Sequence, residues 1–227
     1  MGLDAIYSYA GRTQVPVNQP LPVRTGGFGG PDGLACYIRA EGVTHVVDAT
    51  HPFADTMSRN AIAACASTAT PLIALVRAPW IEGAEDRWIT VPDIDSAAQA
   101  LPDEAACVFL AIGRQHLAPF AAKPQHRYIL RFVDEPDGPL PLPAAEVIVA
   151  RGPFTEEGDL ALMRSKSVNL VVTRNSGGAG ARAKIDAARR LCLPVIMISR
   201  PEMPERASAA SVDNVMAWLA HETCLGA

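Results

Sequence analysis

The sequence predicts an α/β protein built on mostly parallel sheets, and three observations predict it. Short apolar runs alternate with Ala-rich or amphipathic segments almost throughout the chain, the signature of strands and helices in succession. The runs are nearly all apolar, as in C-V-F-L-A-I (107–112) and P-V-I-M-I (194–198), which suits strands covered on both faces. Several runs also pass at once into a helical segment. The clearest case is D-A-T-H-P-F, Asp48 to Phe53, between the apolar Thr44–Val47 and the Ala-rich 54–67.

Element by element, Ala5–Ala10 reads as a strand, Asp32–Ala40 as a helix and Thr44–Ala49 as a strand. A helix follows over Ala54–Ser67, with Pro52 expected in its first turn, where a missing N–H costs nothing. Leu72–Arg77 and Trp88–Val91 read as strands. Ile94–Leu101 reads as a helix capped by Asp93 or Asp95. Cys107–Ile112 is a strand, Gln115–Ala121 a helical turn or two, and Tyr128–Phe132 and Val147–Ala150 are strands. Thr155 caps a helix over Glu156–Lys166. Asn169–Thr173 is a strand, Ala181–Leu191 a helix, Pro194–Ile198 a strand and Val212–His221 a closing helix. The Pro-rich 136–143 reads as an exposed loop and 201–206 as a break. The break between two sheets is expected between Arg77 and Ala106.

The bulk properties exclude several function classes. A chain of 227 residues suits one large or two small domains. Hydrophobic content of 49% and charged content of 19% are ordinary for a globular protein. No apolar run is long enough for a membrane span, and no secretory leader opens the chain. The five cysteines form no C-x-x-C pair and no zinc spacing; they read as free thiols of a cytoplasmic protein. A net charge of −4 argues against nucleic acid. Residues 1–104 carry 6 basic against 12 acidic residues, and 105–227 carry 14 against 12. That asymmetry suits an anionic small molecule in the second half, although ordinary scatter produces asymmetries of this size.

Six turns carry the chemistry. A-G-R-T (10–13) follows the first strand. In a Rossmann-like unit that position meets the adenosine ribose, and an Arg there in place of an acid favours the 2′-phosphate of NADP; a solvated surface turn would carry the same residues. G-G-F-G-G (26–30) permits close backbone approach to a ligand, but it lacks the G-x-G-x-x-G spacing and no clear strand precedes it. Thr50-His51-Pro52-Phe53 lies at a strand carboxyl end, where ligands bind in open α/β sheets; His51 suits ligand contact or simple capping equally. G-R (113–114), R-G-P-F-T (151–155) and T-R-N-S-G-G (173–178) each follow a strand, with Lys184 on the next helix. These three should converge and offer several cations and amides to carboxylates. No Ser-His-Asp order, P-loop or metal-ligand cluster is present.

Taken together and in order, these motifs resemble one family, the precorrin-6A reductases of corrin biosynthesis. The resemblance runs over essentially the whole chain through Y-A-G-R-T, G-G-F-G-G, D-A-T-H-P-F-A, I-G-R-Q, A-R-G-P-F-T and T-R-N-S-G-G with Lys184. It implies NADPH-dependent reduction of precorrin-6A to precorrin-6B in cobalamin biosynthesis. It implies two Rossmann-like or flavodoxin-like parallel-sheet domains with a cleft between them, residues 1–104 for NADPH and 105–227 for substrate. Under it, Gly11, Arg12 and Thr13 would hold the 2′-phosphate end of NADPH. Gly27, Phe28, Gly29, Thr50, His51, Pro52 and Phe53 would border the nicotinamide half, with His51 a candidate proton donor. Arg114, Arg151, Arg174, Asn175, Ser176, Gly177 and Lys184 would orient an anionic tetrapyrrole. No metal is implied, and a monomer is expected. Two departures stand out. Arg174 replaces a Lys usual in the family, and the family's opening strand with a G-G-T-x-E-A-like turn has no counterpart here, so the first domain reads as N-terminally truncated. A non-catalytic tetrapyrrole-binding protein, a cobalt-precorrin-6A reductase and a reductase of another polyanionic NADP substrate are the alternatives.

Overall fold

A computed structural model describes residues 3–11 and 20–225, with side chains to residue 221. Arg12 and Thr13, and with them the expected 2′-phosphate contact, lie outside the described residues. The chain forms two compact units, Met1–Val76 with Met203–Ala227, and Arg77–Glu202. The boundary expected at 104/105 therefore falls inside the second unit. Two strand pairings account for this: the strand at 88–91 joins the second unit's sheet, and a strand at 208–209 joins the first unit's.

In the first unit, β1 (Tyr7–Tyr9) and β2 (Val23–Thr25) pair in parallel. So a strand does precede G-G-F-G-G, which V-R-T is too short and too polar to reveal on its own. Helix α1 (Gly30–Ala40) starts with Pro in its first turn, Asp32 beside its N-terminus and Arg39 in its last turn, all favourable to the helix dipole. Strand β3 (Val46–Asp48) leads into α2 (Asp55–Thr68). Pro52 sits in a separate turn before α2 rather than in its first helical turn: the Ala54 N–H closes a loop onto the His51 carbonyl at 2.7 Å. Strand β4 (Leu72–Leu75) pairs between β3 and the later β11 (Ser208–Ala209), all in parallel. Helix α6 (Val212–Leu225) ends the chain. Leu72 packs toward α1 and α2, and the next residue, Ile73, toward Ala209 and α6. Successive strand residues point to opposite faces, so a four-residue strand holds two helical layers apart.

Gly33 marks the tightest contact in this unit. A methyl group there would lie 1.8 Å from the Phe28 carbonyl oxygen. Gly33→Ala must push the G-G-F-G-G loop off α1, and overpacking of this kind costs about 2 kcal/mol. The expected outcome is a lower urea midpoint with an unchanged m-value; an unchanged midpoint would show that the loop does not rest on the helix.

The second unit is one six-stranded parallel sheet. It comprises β5 (Trp88–Val91), β6 (Cys107–Ala111), β7 (Arg127–Phe132), β8 (Ala145–Val149), β9 (Leu170–Arg174) and β10 (Val195–Ile198). The order across the sheet is β5-β10-β9-β6-β7-β8. Strands β6, β9 and β10 are almost wholly buried, which accounts for their unbroken apolar sequences. The helices are α3 (Ile94–Gln99), α4 (Glu156–Ser165) and α5 (Ala183–Arg190), with two 3-10 turns over 114–122. Asp93 caps α3 by accepting from the Ser96 N–H at 2.7 Å. Thr155 caps α4 by accepting from the Gly158 N–H at 3.1 Å. From β6 the chain runs outward through β7 to β8, then returns to place β9 on the other side of β6. The sheet order reverses between β6 and β9, and a crevice outside the carboxyl ends of such a pair is where open α/β sheets bind ligands.

Candidate active site

In the first unit the D-A-T-H-P-F turn is anchored by Asp48, the last residue of β3. Its buried carboxylate accepts from the Thr50 N–H (3.1 Å) and hydroxyl (2.7 Å) through one oxygen, and from Ser58 of α2 and Arg206 (both 2.6 Å) through the other. Burial works to raise the Asp48 pKa, but these bonds and the Arg206 charge outweigh it and hold the carboxyl below its ordinary value. Thr50 thus shapes the turn. His51 is exposed, and its Nδ1 accepts from the Phe53 N–H at 3.2 Å. With Nδ1 an acceptor, a neutral ring carries its proton on Nε2.

The G-G-F-G-G loop is shaped by a residue that motif reading passed over. Arg24 of β2 lies 3.7 Å over the Phe28 ring and donates to the Gly26 (2.6 Å) and Gly27 (2.7 Å) carbonyls. No local pattern distinguishes this Arg from a solvated one. Gly26, Gly29 and Gly30 have positive φ, and at each, as at Gly27, an added Cβ would meet nothing within 4 Å among the described residues. Among the described residues the backbone there is open to close approach, the property that a nucleotide cofactor needs. Gly11, also at positive φ, ends β1 against Thr25.

The second unit carries a cavity of about 190 Å³ at the β6/β9 reversal. It is lined by Ala111 and Ile112 after β6, Arg131 of β7, Phe154, Asp159 of α4, Arg174 of β9, and Ala181, Ala183 and Lys184 around the start of α5. Two of the three second-half turns reach it, and the G-R turn does not, although the residue just before it does. Phe154 lines it from the R-G-P-F-T turn and Arg174 from the T-R-N-S-G-G turn, while Ile112 lies between β6 and the G-R turn. Arg131 and Asp159 had no motif to announce them. Arg131 donates to Asp159 through Nη1, and its guanidinium lies 3.6 Å over the Phe154 ring. Lys184 is buried, donates to the Ala181 carbonyl at 2.6 Å and sits 5.1 Å over the Trp80 ring. Burial, aided by the Arg131 and Arg174 charges and opposed by Asp159, lowers its pKa to about 8.

The remaining expected residues stand elsewhere in this unit. Arg114 donates to the Asp137 carbonyl, and Arg151 pairs with Asp134 at 2.5 Å, so both bind the acidic 134–137 loop in this structure. Asn175 accepts from the Trp80 N–H (2.8 Å) and donates to the Trp80 carbonyl (2.9 Å). The Ser176 hydroxyl donates to the Arg174 carbonyl at 3.3 Å. Gly177 has positive φ, and a Cβ there would lie 2.2 Å from the Ala78 carbonyl oxygen. Arg200 joins this cluster through the Asn175, Ser176 and Arg77 carbonyls. The N-S-G stretch therefore holds the 77–80 segment through backbone and side chain.

A family profile for precorrin-6x reductase CbiJ/CobK matches residues 1–220. The chain belongs to that family. A curated relative from Rhodobacter capsulatus, named precorrin-6A reductase, is 59% identical over 96% of this chain and 87% of its own length. Another precorrin-6A reductase, from Rhodococcus erythropolis, is 42% identical over 96% and 88%. A cobalt-precorrin-6A reductase from Priestia megaterium is 33% identical over 85% and 79%. A solved structure titled CobK precorrin-6A reductase superposes with a TM-score of 0.94 at 59% identity, covering 97% of this chain and 88% of that one. As a member of the precorrin-6x reductase family, the chain is an oxidoreductase on an α/β fold of parallel sheets. No helix among the described residues is long and apolar enough to cross a membrane, and no group of His, Cys, Asp or Glu among them is arranged to hold a metal ion.

Proposed function

We propose that this chain catalyses the NADPH-dependent reduction of precorrin-6A to precorrin-6B in cobalamin biosynthesis. The observation that carries the reading is the 59% identity to a precorrin-6A reductase over nearly the whole chain. Three relatives named cobalt-precorrin-6A reductase are 33%, 30% and 26% identical, which favours the metal-free macrocycle. NADPH, when bound, supplies the hydride. The first unit supports its binding. The open glycine backbone at 26–30 suits close approach, Arg24 holds that loop in shape, and the Asp48–Thr50–Ser58–Arg206 network fixes the turn presenting His51, Pro52 and Phe53. Arg12 and Thr13 are assigned to the 2′-phosphate, the feature that separates NADPH from NADH. His51, with its proton on Nε2, is assigned to proton delivery. The cationic pocket at the β6/β9 reversal supports a role for the second unit in holding the tetrapyrrole's carboxylates. The working unit is assigned as a cytoplasmic monomer.

The test is turnover of precorrin-6A followed by loss of NADPH absorbance and by product mass. Two mass units should be gained, with NADPH well above NADH in kcat/KM. Arg12→Ala should raise KM for NADPH more than for NADH, and His51→Ala should lower kcat. Tight macrocycle binding with no turnover by the wild-type chain would sink the catalytic reading in favour of a binding protein. Full kcat in His51→Ala across pH would remove His51 from the proton path.

A further inference from the structure

Strand β7 lies between β6 and β8 in the second unit's sheet, and all three run in parallel. Their carboxyl ends are therefore neighbours on the side of the sheet where open α/β folds bind ligands. The segment that leaves β7, V-D-E-P-D-G-P-L-P-L-P over 133–143, reaches both flanking turns. Asp134 pairs with Arg151, just after β8, at 2.5 Å. The Asp137 carbonyl accepts from Arg114, which follows β6. Among the described residues these two are the hydrogen bonds that hold 133–143, and no backbone–backbone bond ties it down. Its four prolines have no N–H to give. The segment is a strap fastened by two arginines, and what it offers them, a carboxylate and a carbonyl, is what a carboxylate arm would offer. Both arginines are exposed, and Val133 and Val149 beside them expose about half of their surface. Cations flanked by apolar side chains suit an apolar ring with anionic arms.

We propose that the 134–137 strap is an internal competitor of the ligand: it occupies Arg114 and Arg151 while the macrocycle is absent, and carboxylate arms of the macrocycle displace it and take both arginines. The inference rests on the assignment of the second unit to the macrocycle and deepens it. An exposed ion pair is weak, so the strap is released at little cost. The fraction of time that it is fastened lowers the apparent affinity by the same fraction. Asp134 thus sets affinity against the ligand, the opposite sign from a residue that binds it.

The experiment is titration of the intact chain with precorrin-6A in the absence of NADPH, followed by quenching of tryptophan fluorescence at fixed ionic strength. Asp134→Ala should lower Kd by about threefold, within what an exposed ion pair supplies. Asp134→Glu, which can still pair, should stay near wild type. Glu135 is exposed and makes neither contact, so Glu135→Ala should leave Kd unchanged. Arg151→Ala should weaken binding, and in that background Asp134→Ala should change nothing further.

A Kd that is unchanged or higher in Asp134→Ala overturns the proposal. So does an equal gain from Glu135→Ala, or a gain that survives in Arg151→Ala, since either would mean general repulsion of the anion rather than competition for an arginine. Absence of precorrin-6A binding in wild type and variants alike overturns it as well. A chain that binds in the expected pattern without turnover fails the reductase reading alone. A chain that turns over with a Kd indifferent to Asp134 fails this proposal alone.

Discussion

Replacing Asp159 by Leu is expected to lower the unfolding free energy by about 3–5 kcal/mol, the cost of stranding a buried charge. The Asp159 side chain is only 2% exposed and that of Arg131 only 10%. Without Asp159, the Arg131 guanidinium would share its pocket with Arg174 and Lys184 and have no carboxylate there. The double replacement Arg131→Leu with Asp159→Leu should recover most of the loss, because a well-packed apolar pair is often as stable as the ion pair it replaces. Urea unfolding of the two variants measures both terms. A single variant within 0.5 kcal/mol of wild type, on the order of a surface substitution, would mean that the pair is not buried as described.

Asp48→Asn should cost about 3 kcal/mol near neutral pH, because it ends an ion pair to the part-buried Arg206 and unsettles acceptors used by Thr50 and Ser58. The cost should depend on pH in a defined direction. The folded-state pKa of Asp48 is depressed below the ordinary 3.8. Its contribution is therefore fully present above that value and is lost as pH falls through the lower, folded-state pKa. Wild type and variant should converge in strong acid, separate as pH rises through the window between the folded-state pKa and 3.8, and differ by a constant amount above about pH 5. A difference that is constant from acid to neutral pH would show that the carboxylate is not the stabilising species. The same variant should raise KM for NADPH, since the T-H-P-F turn would lose its anchor.

The alternation of apolar runs and helices was legible because each element is decided within its own residues. Trp88–Val91 lies where the sequence placed it, and the α3 and α4 caps are Asp93 and Thr155. What was not legible follows one rule. Strands β2 and β11, of three and two residues, carry too few side chains for a period to show. They exist because a partner strand satisfies their backbone groups. The boundary expected at 104/105 failed for the same reason. Residues 88–91 look alike whether they pair with the first sheet or the second, and only pairing with β10 decides it.

The candidate site divides in the same way. Strand carboxyl ends pointed to Ile112, Phe154, Arg174 and Lys184 or their immediate neighbours, because a strand-to-helix turn can be read locally. Arg24, Arg131, Asp159 and Arg206 could not be found so. Arg131 meets Asp159 across 28 residues, and Arg206 meets Asp48 across 158. The sequence by itself determined the element types, the parallel α/β class and the family, since these rest on local periodicity and on motifs in fixed order. The tertiary structure alone decided which strands share a sheet, which arginines face a carboxylate and which lysine is buried. Those outcomes depend on which distant segments exclude water together, and burial gives each charge its energy only once they have done so.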